Sequence, residues 1–229
     1  MYWRPGYVRL DGDSLPLAFW TVNSTSMQSD RIEAFWKWFV SNAEQISAEP
    51  DCPALVEELD RRVSELHKDI SWEIGPGAST PWQLVLSPNL NPQLRAVVES
   101  VVKAAPNVPD WAFFPARRPK DWNYKVVLKD VGSEPVLIDA TAWRFVMLRY
   151  SDGQYQIILE GQNLPAMSED RCWQAAAITL ESILGEDALM DKVCEFSLVR
   201  ELTDDLAAKA TPIQRLSTVL TRETQEKTS

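Results

Sequence analysis

Near the middle of the chain stands Asp110-Trp111-Ala112-Phe113-Phe114-Pro115-Ala116-Arg117-Arg118-Pro119-Lys120-Asp121-Trp122, a stretch holding four aromatics, two prolines and three cations. Both alternating sides of 111–118 are mostly apolar, the pattern of a strand covered on both faces, and the basic residues arrive only as that run ends. The reading predicts a central strand that delivers positive charge at its tip. The segments on either side share one spelling.

On the N-terminal side, 71–74 reads as a short strand, 75–81 as a Gly/Pro turn and 82–86 as a returning strand. Asn91 then caps a helix with Pro92 at its first position. Leu94, Val97, Val98, Val101, Val102 and Ala105 form its apolar stripe, and Pro106 stops it. On the C-terminal side, 124–129 and 135–139 predict a hairpin across Gly132, and 143–150 pairs with 155–160 across Ser151-Asp152-Gly153-Gln154. Ser168 opens a helix with Trp173, Ala176, Ala177, Leu180, Ile183 and Leu184 inward, Gly185 closes it, and 193–199 is the last strand.

Strand, strand, helix, strand thus occurs twice, starting near Ser71 and near Ala142, with an additional hairpin between. Residue identity between the copies is slight, so the duplication is an expectation about structure. The fold class predicted is α+β: mainly antiparallel mixed sheet or sheets with helices on one face. The halves, 51–122 and 123–200, are read as one compact domain. Before them, at 1–50, come an arm and an amphipathic helix, and after them, at 201–229, a helical tail.

Within the N-terminal part, 15–22 reads as an edge strand or extended arm because Pro16 interrupts it. Asp30 and Glu33 resemble a capping box, followed by Ile32, Phe35, Trp36, Phe39, Ala43 and Ile46 at helical spacing. Trp38 lies off that stripe, either packed on a neighbouring loop or left as a contact aromatic. A second helix follows Pro53, with Leu55, Leu59, Val63, Leu66 and Ile70 inward and its charges outward. In the tail, Thr211 and Gln214 spell another capping signature ahead of Leu216, Val219 and Leu220, and 221–229 reads as a frayed end.

Composition narrows the function. The 229 residues are 45% hydrophobic and 24% charged, which is globular, and include ten tryptophans. A net charge of −10 repels phosphate backbones and anionic membranes while permitting a basic protein partner. Cys52, Cys172 and Cys194 are odd in number and lack CxxC spacing, so they read as buried, reduced thiols suited to a cytoplasmic setting. The N-terminus shows no apolar export region, and no run approaches the roughly 20 apolar residues of a membrane span.

The chemistry is mostly one of exclusions. His67 is the only histidine, which rules out His-rich zinc sites, a two-histidine iron triad and HExxH. No Walker A string occurs, and Gly75-Pro76-Gly77 lacks the context of a dinucleotide fingerprint. Asp139, Asp152 and Glu160, together with Asp69, Glu73 and Asp121, would do acid–base or metal work only if they converged, and Asp139-Ala140-Thr141 also reads as a turn cap. No cofactor is expected. Arg117, Arg118 and Lys120, framed by Trp111, Phe113 and Trp122, are the one cluster opposing the overall charge. They either fork onto a carboxylate or phosphate, or pair with the chain's own acids.

The strings Trp72-Glu73-Ile74-Gly75-Pro76-Gly77, Ala104-Ala105-Pro106 with Trp111, Phe114-Pro115-Ala116 with Pro119-Lys120-Asp121-Trp122, and Ile138-Asp139-Ala140 with Trp143 and Leu148-Arg149-Tyr150 resemble a group of bacterial proteins with no settled activity. The resemblance covers 55–198 and implies a bacterial cytoplasmic α+β protein. It transfers no catalytic residue. Three functional readings follow: a non-catalytic interaction module, immunity-like, binding a basic partner; a small-anion or nucleotide binder using Arg117, Arg118, Lys120, Trp111 and Trp122; and a carboxylate-based, metal-assisted enzyme. The first is preferred.

Overall fold

The computed structural model describes residues 2–3, 24–128 and 134–225, so the expected strand at 15–22, the turn at Gly132 and the last residues of the tail lie outside it. The chain divides into two compact units, Met1–Arg117 and Arg118–Ser229, five residues before the boundary after Trp122 that the sequence predicts between halves of one domain. Among the described residues no helix is long and apolar enough to cross a membrane.

In the first unit, β1 (Tyr2–Trp3) is followed by α1 (Ser24–Ala48), α2 (Pro53–Leu66), β2 (Ser71–Pro76), β3 (Trp82–Ser87), α3 (Pro92–Lys103) and β4 (Trp111–Phe114). The sheet order is β1-β2-β3-β4. The first two pairings are antiparallel, and β4 runs parallel to β3 after the α3 crossover. Alternation puts Trp72, Ile74, Leu84, Leu86 and Phe113 on one face, and these join one hydrophobic cluster with α1, α2 and α3. The helices therefore cover one face. Ser71, Glu73, Val85 and Ser87 take the other.

Local chemistry explains these elements. The Asn91 side chain accepts the Gln93 N–H at 3.0 Å, Pro92 sits where no N–H is needed, and α3 buries Leu94, Val98 and Val101. Helix α1 buries Phe35, Trp36, Phe39, Ala43 and Ile46, as its spacing predicts. It does not begin at the Asp30 capping box, however. The helix starts at Ser24, because no Pro or Gly in 24–29 interrupts it and a cap signature inside a continuing helix has no free N–H to satisfy. Trp38 is half-buried, with the Arg62 guanidinium 5.0 Å from its ring centroid, so it packs on α2 rather than on a loop.

β4 ends at Phe114, not at Arg118, and among the described residues it stands last in its sheet, with β3 as its one strand neighbour there. Among those residues it is an edge strand where the sequence predicts a central one. Its apolar character comes from aromatic packing: Trp111 meets Phe39 edge-on at 4.9 Å and stacks on Trp82 at 5.9 Å, while Phe113 meets Trp36 at 4.7 Å. Ala112 and Phe114, on the alternate side, are half-buried.

The second unit begins with a two-stranded sheet, β5 (Lys125–Leu128) and β6 (Val136–Asp139). Next come β7 (Arg144–Arg149), β8 (Tyr155–Glu160), α4 (Glu169–Leu184), α5 (Glu186–Lys192), β9 (Val193–Val199), α6 (Asp204–Ala207), β10 (Thr211–Pro212), a 3-10 turn at Ile213–Arg215 and α7 (Leu216–Gln225). Its larger sheet is ordered β10-β7-β8-β9, again antiparallel except for β8 with β9. The strand-strand-helix-strand spelling is therefore realised twice with the same pairing. Ser168 caps α4 by accepting the Arg171 N–H at 3.3 Å. Gly185 ends it at φ 80, where a Cβ would come within 2.7 Å of Pro119 Cδ. The core holds Trp143, Phe145, Tyr155, Ile157 and Leu159 with Ala175, Ala176, Ala177 and Leu180 of α4.

In the tail, Thr211 and Gln214 do not form a capping box. Thr211 lies in β10 opposite Phe145, and the Gln214 side chain donates to the Thr141 carbonyl at 2.6 Å. Tertiary pairing took residues that local spelling assigned to a helix start. α5 and β10 were not foreseen, being too short to show a period.

Candidate functional site

Of the buried polar groups in the first unit, several meet at one end of the β2-β3 pair, where Ser71 and Ser87 stand opposite each other. Beyond β3 the chain turns through Asn89 and Leu90, both left-handed at φ 54 and φ 59. Asn89 tolerates that conformation because its amide bonds locally. Its side chain donates to the Asp69 carbonyl at 2.6 Å and accepts from Ser71 Oγ at 2.5 Å, and its backbone N–H donates to Ser87 Oγ at 3.0 Å.

Into this turn reaches Arg117, three residues beyond the end of β4. Nη1 donates to Ser87 Oγ at 2.8 Å and lies 3.5 Å from Asn89 Oδ1, while Nη2 donates to Ser71 Oγ at 2.6 Å. Nε is 3.7 Å from Glu73 Oε2, and the two side chains are 2% and 1% exposed. The guanidinium fork is thus matched to protein acceptors, and its charge is balanced by a buried carboxylate. Chemically, the arrangement holds a strand-to-helix connection and a neutralised ion pair away from solvent.

The five sequence-predicted binding residues are divided between the units, and the two in the first are not gathered. Trp111 is buried beside Trp82 at one end of the β3-β4 pair, and Arg117 lies beyond the other end. Arg118, exposed, and Lys120 and Trp122, half-buried, belong to the second unit. The Lys120 N–H donates to Ser182 O at 2.8 Å, satisfying a carbonyl of the last turn of α4, and Trp122 lies 5.1 Å from Tyr124. Arg118 and Lys120 are both engaged within the chain.

The carboxylates are likewise held locally. Asp139 accepts the Thr141 N–H at 2.9 Å, and hydrogen bonds from Thr141 hold its carboxyl below the usual range. Asp152 accepts the Gln154 N–H at 2.9 Å. Glu160 is buried opposite Arg144, which donates to it at 2.6 Å, and its other oxygen accepts the Leu202 N–H at 3.0 Å. Burial pushes the Glu160 carboxyl up, but the Leu202 and Arg144 hydrogen bonds outweigh it and hold the group below its ordinary value. Glu160 therefore stabilises the fold above about pH 4.3, its unfolded value, and the contribution is lost as pH falls through the lower folded value. A Glu160→Gln variant is expected to melt earlier at pH 7, by about 1–3 kcal/mol. It should also show a flatter stability profile between pH 5 and 2 in calorimetry. An unchanged profile would remove Glu160 from the account.

His67 ends α2, and its Nδ1 accepts the Asp69 N–H at 3.2 Å. Among the described residues no group of three or more His, Cys, Asp and Glu is placed to hold a metal ion. The cysteines are free, but they are not all buried as expected. Cys194 is exposed as the extra residue of a bulge in β9, its thiol 3.4 Å from the Tyr155 carbonyl, and burial raises the half-buried Cys172. A recess of about 510 Å³ runs along α1, lined by Ile32, Trp36, Val40, Ala104 and Pro106 among others, with Glu33 and Lys37 as its charged groups.

Sequence reasoning did not connect Arg117 to Ser71, Ser87 and Asn89, nor Arg144 to Glu160. The available signals were the Asn89-Leu90-Asn91-Pro92 turn and the facing strand ends. No family model, curated protein or solved structure matches this chain.

Proposed function

We propose that this chain is a non-catalytic interaction module that docks a basic protein on the outer face of the β5-β6 hairpin. The observation that carries the reading is the pair Val127 and Leu137, which stand directly opposite each other and are 47% and 61% exposed. Val126, Leu128 and Ile138 are buried on the other face. A cross-strand apolar pair left in water is a ready contact point, since covering it removes apolar area at no conformational cost to a paired strand.

Charge selects the occupant. Asp139 shares the outer face, offset by Lys125 opposite, and exposed Glu134 precedes β6. The chain as a whole carries −10. Such a field attracts a basic protein, speeds its encounter and repels nucleic acid. An immunity-like role in a bacterial cytoplasm, neutralising a basic partner, is consistent with this surface. Self-satisfied Asp139, Asp152 and Glu160 favour it over a carboxylate enzyme, and the internal partners of Arg117 favour it over an anion site.

The test is affinity capture from the source cell with the wild type and with Val127→Lys/Leu137→Lys, whose exposed positions should leave the circular dichroism spectrum unchanged. The wild type is expected to retain a basic protein at low salt and release it as ionic strength rises. The variant should lose at least about ten-fold in affinity, as a buried apolar pair is worth more than 1.4 kcal/mol. Equal retention by both chains, or a captured protein that is not basic, would overturn the reading.

A further inference from the structure

We infer that each unit contains a copy of one strand-strand-helix-strand element, and that each copy fastens its strand-to-helix connection with an arginine at the same register position, Arg117 in the first and Arg200 in the second.

The register makes the equivalence residue by residue. β2 and β3 pair from Ser71 with Ser87 to Pro76 with Trp82, and β7 and β8 pair from Arg144 with Glu160 to Arg149 with Tyr155. Both hairpins join strands of six residues, through connections at 77–81 and 150–154 of equal length. Superposing the pairs places Gln83 on Gln156 and Leu86 on Leu159, and puts the aromatics Trp72 and Trp82 on Phe145 and Tyr155. A helix then crosses to a third strand parallel to the second in both units. Val85 lies beside Phe114, and its counterpart Ile158 lies beside Ser197. Phe113 thereby falls on Phe196; the first meets Trp36 of α1, outside the repeated element, at 4.7 Å, and the second Trp173 of the crossover helix α4 at 5.3 Å. Cys194 is the extra residue of the bulge in β9, between the partners of Tyr155 and Gln156.

Three positions past Phe114 is Arg117, and three past its counterpart Ser197 is Arg200. Both guanidiniums reach the strand-to-helix connection, Arg117 from a buried position through side chains and Arg200 from an exposed one through backbone carbonyls. Arg117 donates to Ser87, the last residue of β3, and to Ser71, the first of β2, and approaches Asn89 in the connection from β3 to α3. Arg200 donates to the Leu164 carbonyl and, at 2.7 Å, to the Pro165 carbonyl, in the connection from β8 to α4. That connection is irregular backbone needing partners, and a fork with several fixed donors satisfies two acceptors at once. The facing positions at the strand ends also differ in a coordinated way. The first unit has Ser71 and Ser87 there and carries its acid at Glu73, whereas the second has the Arg144–Glu160 pair there. The outer strand of each sheet pairs antiparallel with the equivalent first strand, β1 on β2 and β10 on β7, although one comes from the start of the chain and the other from near its end.

Amide hydrogen exchange by mass spectrometry on the full chain tests the inference, with Arg200→Met, Arg200→Lys and Arg117→Met. Removing a donor from a turn leaves its acceptors unmatched, so local opening is expected to rise about ten- to hundred-fold. Arg200→Met should speed exchange by that factor in 161–168 and leave 88–94 unchanged, with Arg200→Lys intermediate because it lacks the fork. Arg117→Met should speed exchange in 88–94, by more than about a hundred-fold because it also leaves Glu73 without its guanidinium, and leave 161–168 unchanged. Should Arg117→Met fail to fold, the exposed Arg200 decides alone. Unchanged exchange in 161–168, or equal acceleration of both windows by Arg200→Met, would overturn the inference.

Discussion

Arg117→Met is expected to destabilise the first unit by about 3–5 kcal/mol, the usual consequence of leaving one member of a buried ion pair behind. Glu73 would keep a buried carboxylate at 1% exposure without the guanidinium 3.7 Å away, and Ser71 and Ser87 would each lose a donor. The diagnostic is the cycle with Glu73→Met. Replacing both charged groups by apolar ones removes the uncompensated charge, so the double variant should be more stable than Arg117→Met alone, with coupling of about 1–3 kcal/mol. Urea unfolding followed by tryptophan fluorescence measures it. An Arg117→Met loss below about 0.5 kcal/mol, the range of ordinary surface substitutions, would show that the guanidinium is not holding this end of the sheet.

The second large effect is expected at Phe39, which is fully buried and meets Trp36 at 5.8 Å, Trp111 at 4.9 Å and Phe113 at 5.5 Å. Phe39→Ala removes the ring through which α1 grips β4 and leaves a cavity ringed by aromatics that relax little. A cost of about 3–5 kcal/mol follows. Phe39→Leu retains most of the volume and should cost much less, about 1–2 kcal/mol. Thermal unfolding ranks the pair, and near-ultraviolet circular dichroism should lose intensity in Phe39→Ala as the edge-on packing of Trp36 and Trp111 loosens. Equal melting temperatures for the two variants would contradict an aromatic clasp at this position.

Much of the fold was legible because its elements carry local signals of different kinds. The α1 stripe through Phe35, Phe39 and Ile46, the Asn91-Pro92 start of α3, and the Ser168 start and Gly185 end of α4 are side-chain and backbone requirements that sequence states directly. Strand pairing across 77–81 and 150–154 is also local. What was not legible depends on distance. Whether 111–114 is central or last in its sheet turns on which neighbours arrive, and those neighbours are dozens of residues away. The same holds for Arg117. Its basic surroundings in sequence suggested a ligand, yet its acceptors are Ser71, Ser87 and Asn89, none of which looks acidic. Thr211 and Gln214 failed as a helix start for a related reason, since β7 offered a pairing edge that the tail could not announce.

The central claim is that Arg117 serves the fold from inside and that recognition is left to the surface. Melting the wild-type protein in rising inorganic phosphate against sodium chloride of equal ionic strength tests it most directly. The account predicts only the gradual, non-saturating stabilisation that an excluded anion gives any fold, because a guanidinium 2% exposed and bonded to two serines offers nothing to a free anion. Saturable stabilisation by phosphate beyond the salt control, abolished by charge reversal at Arg118 and Lys120, would contradict it.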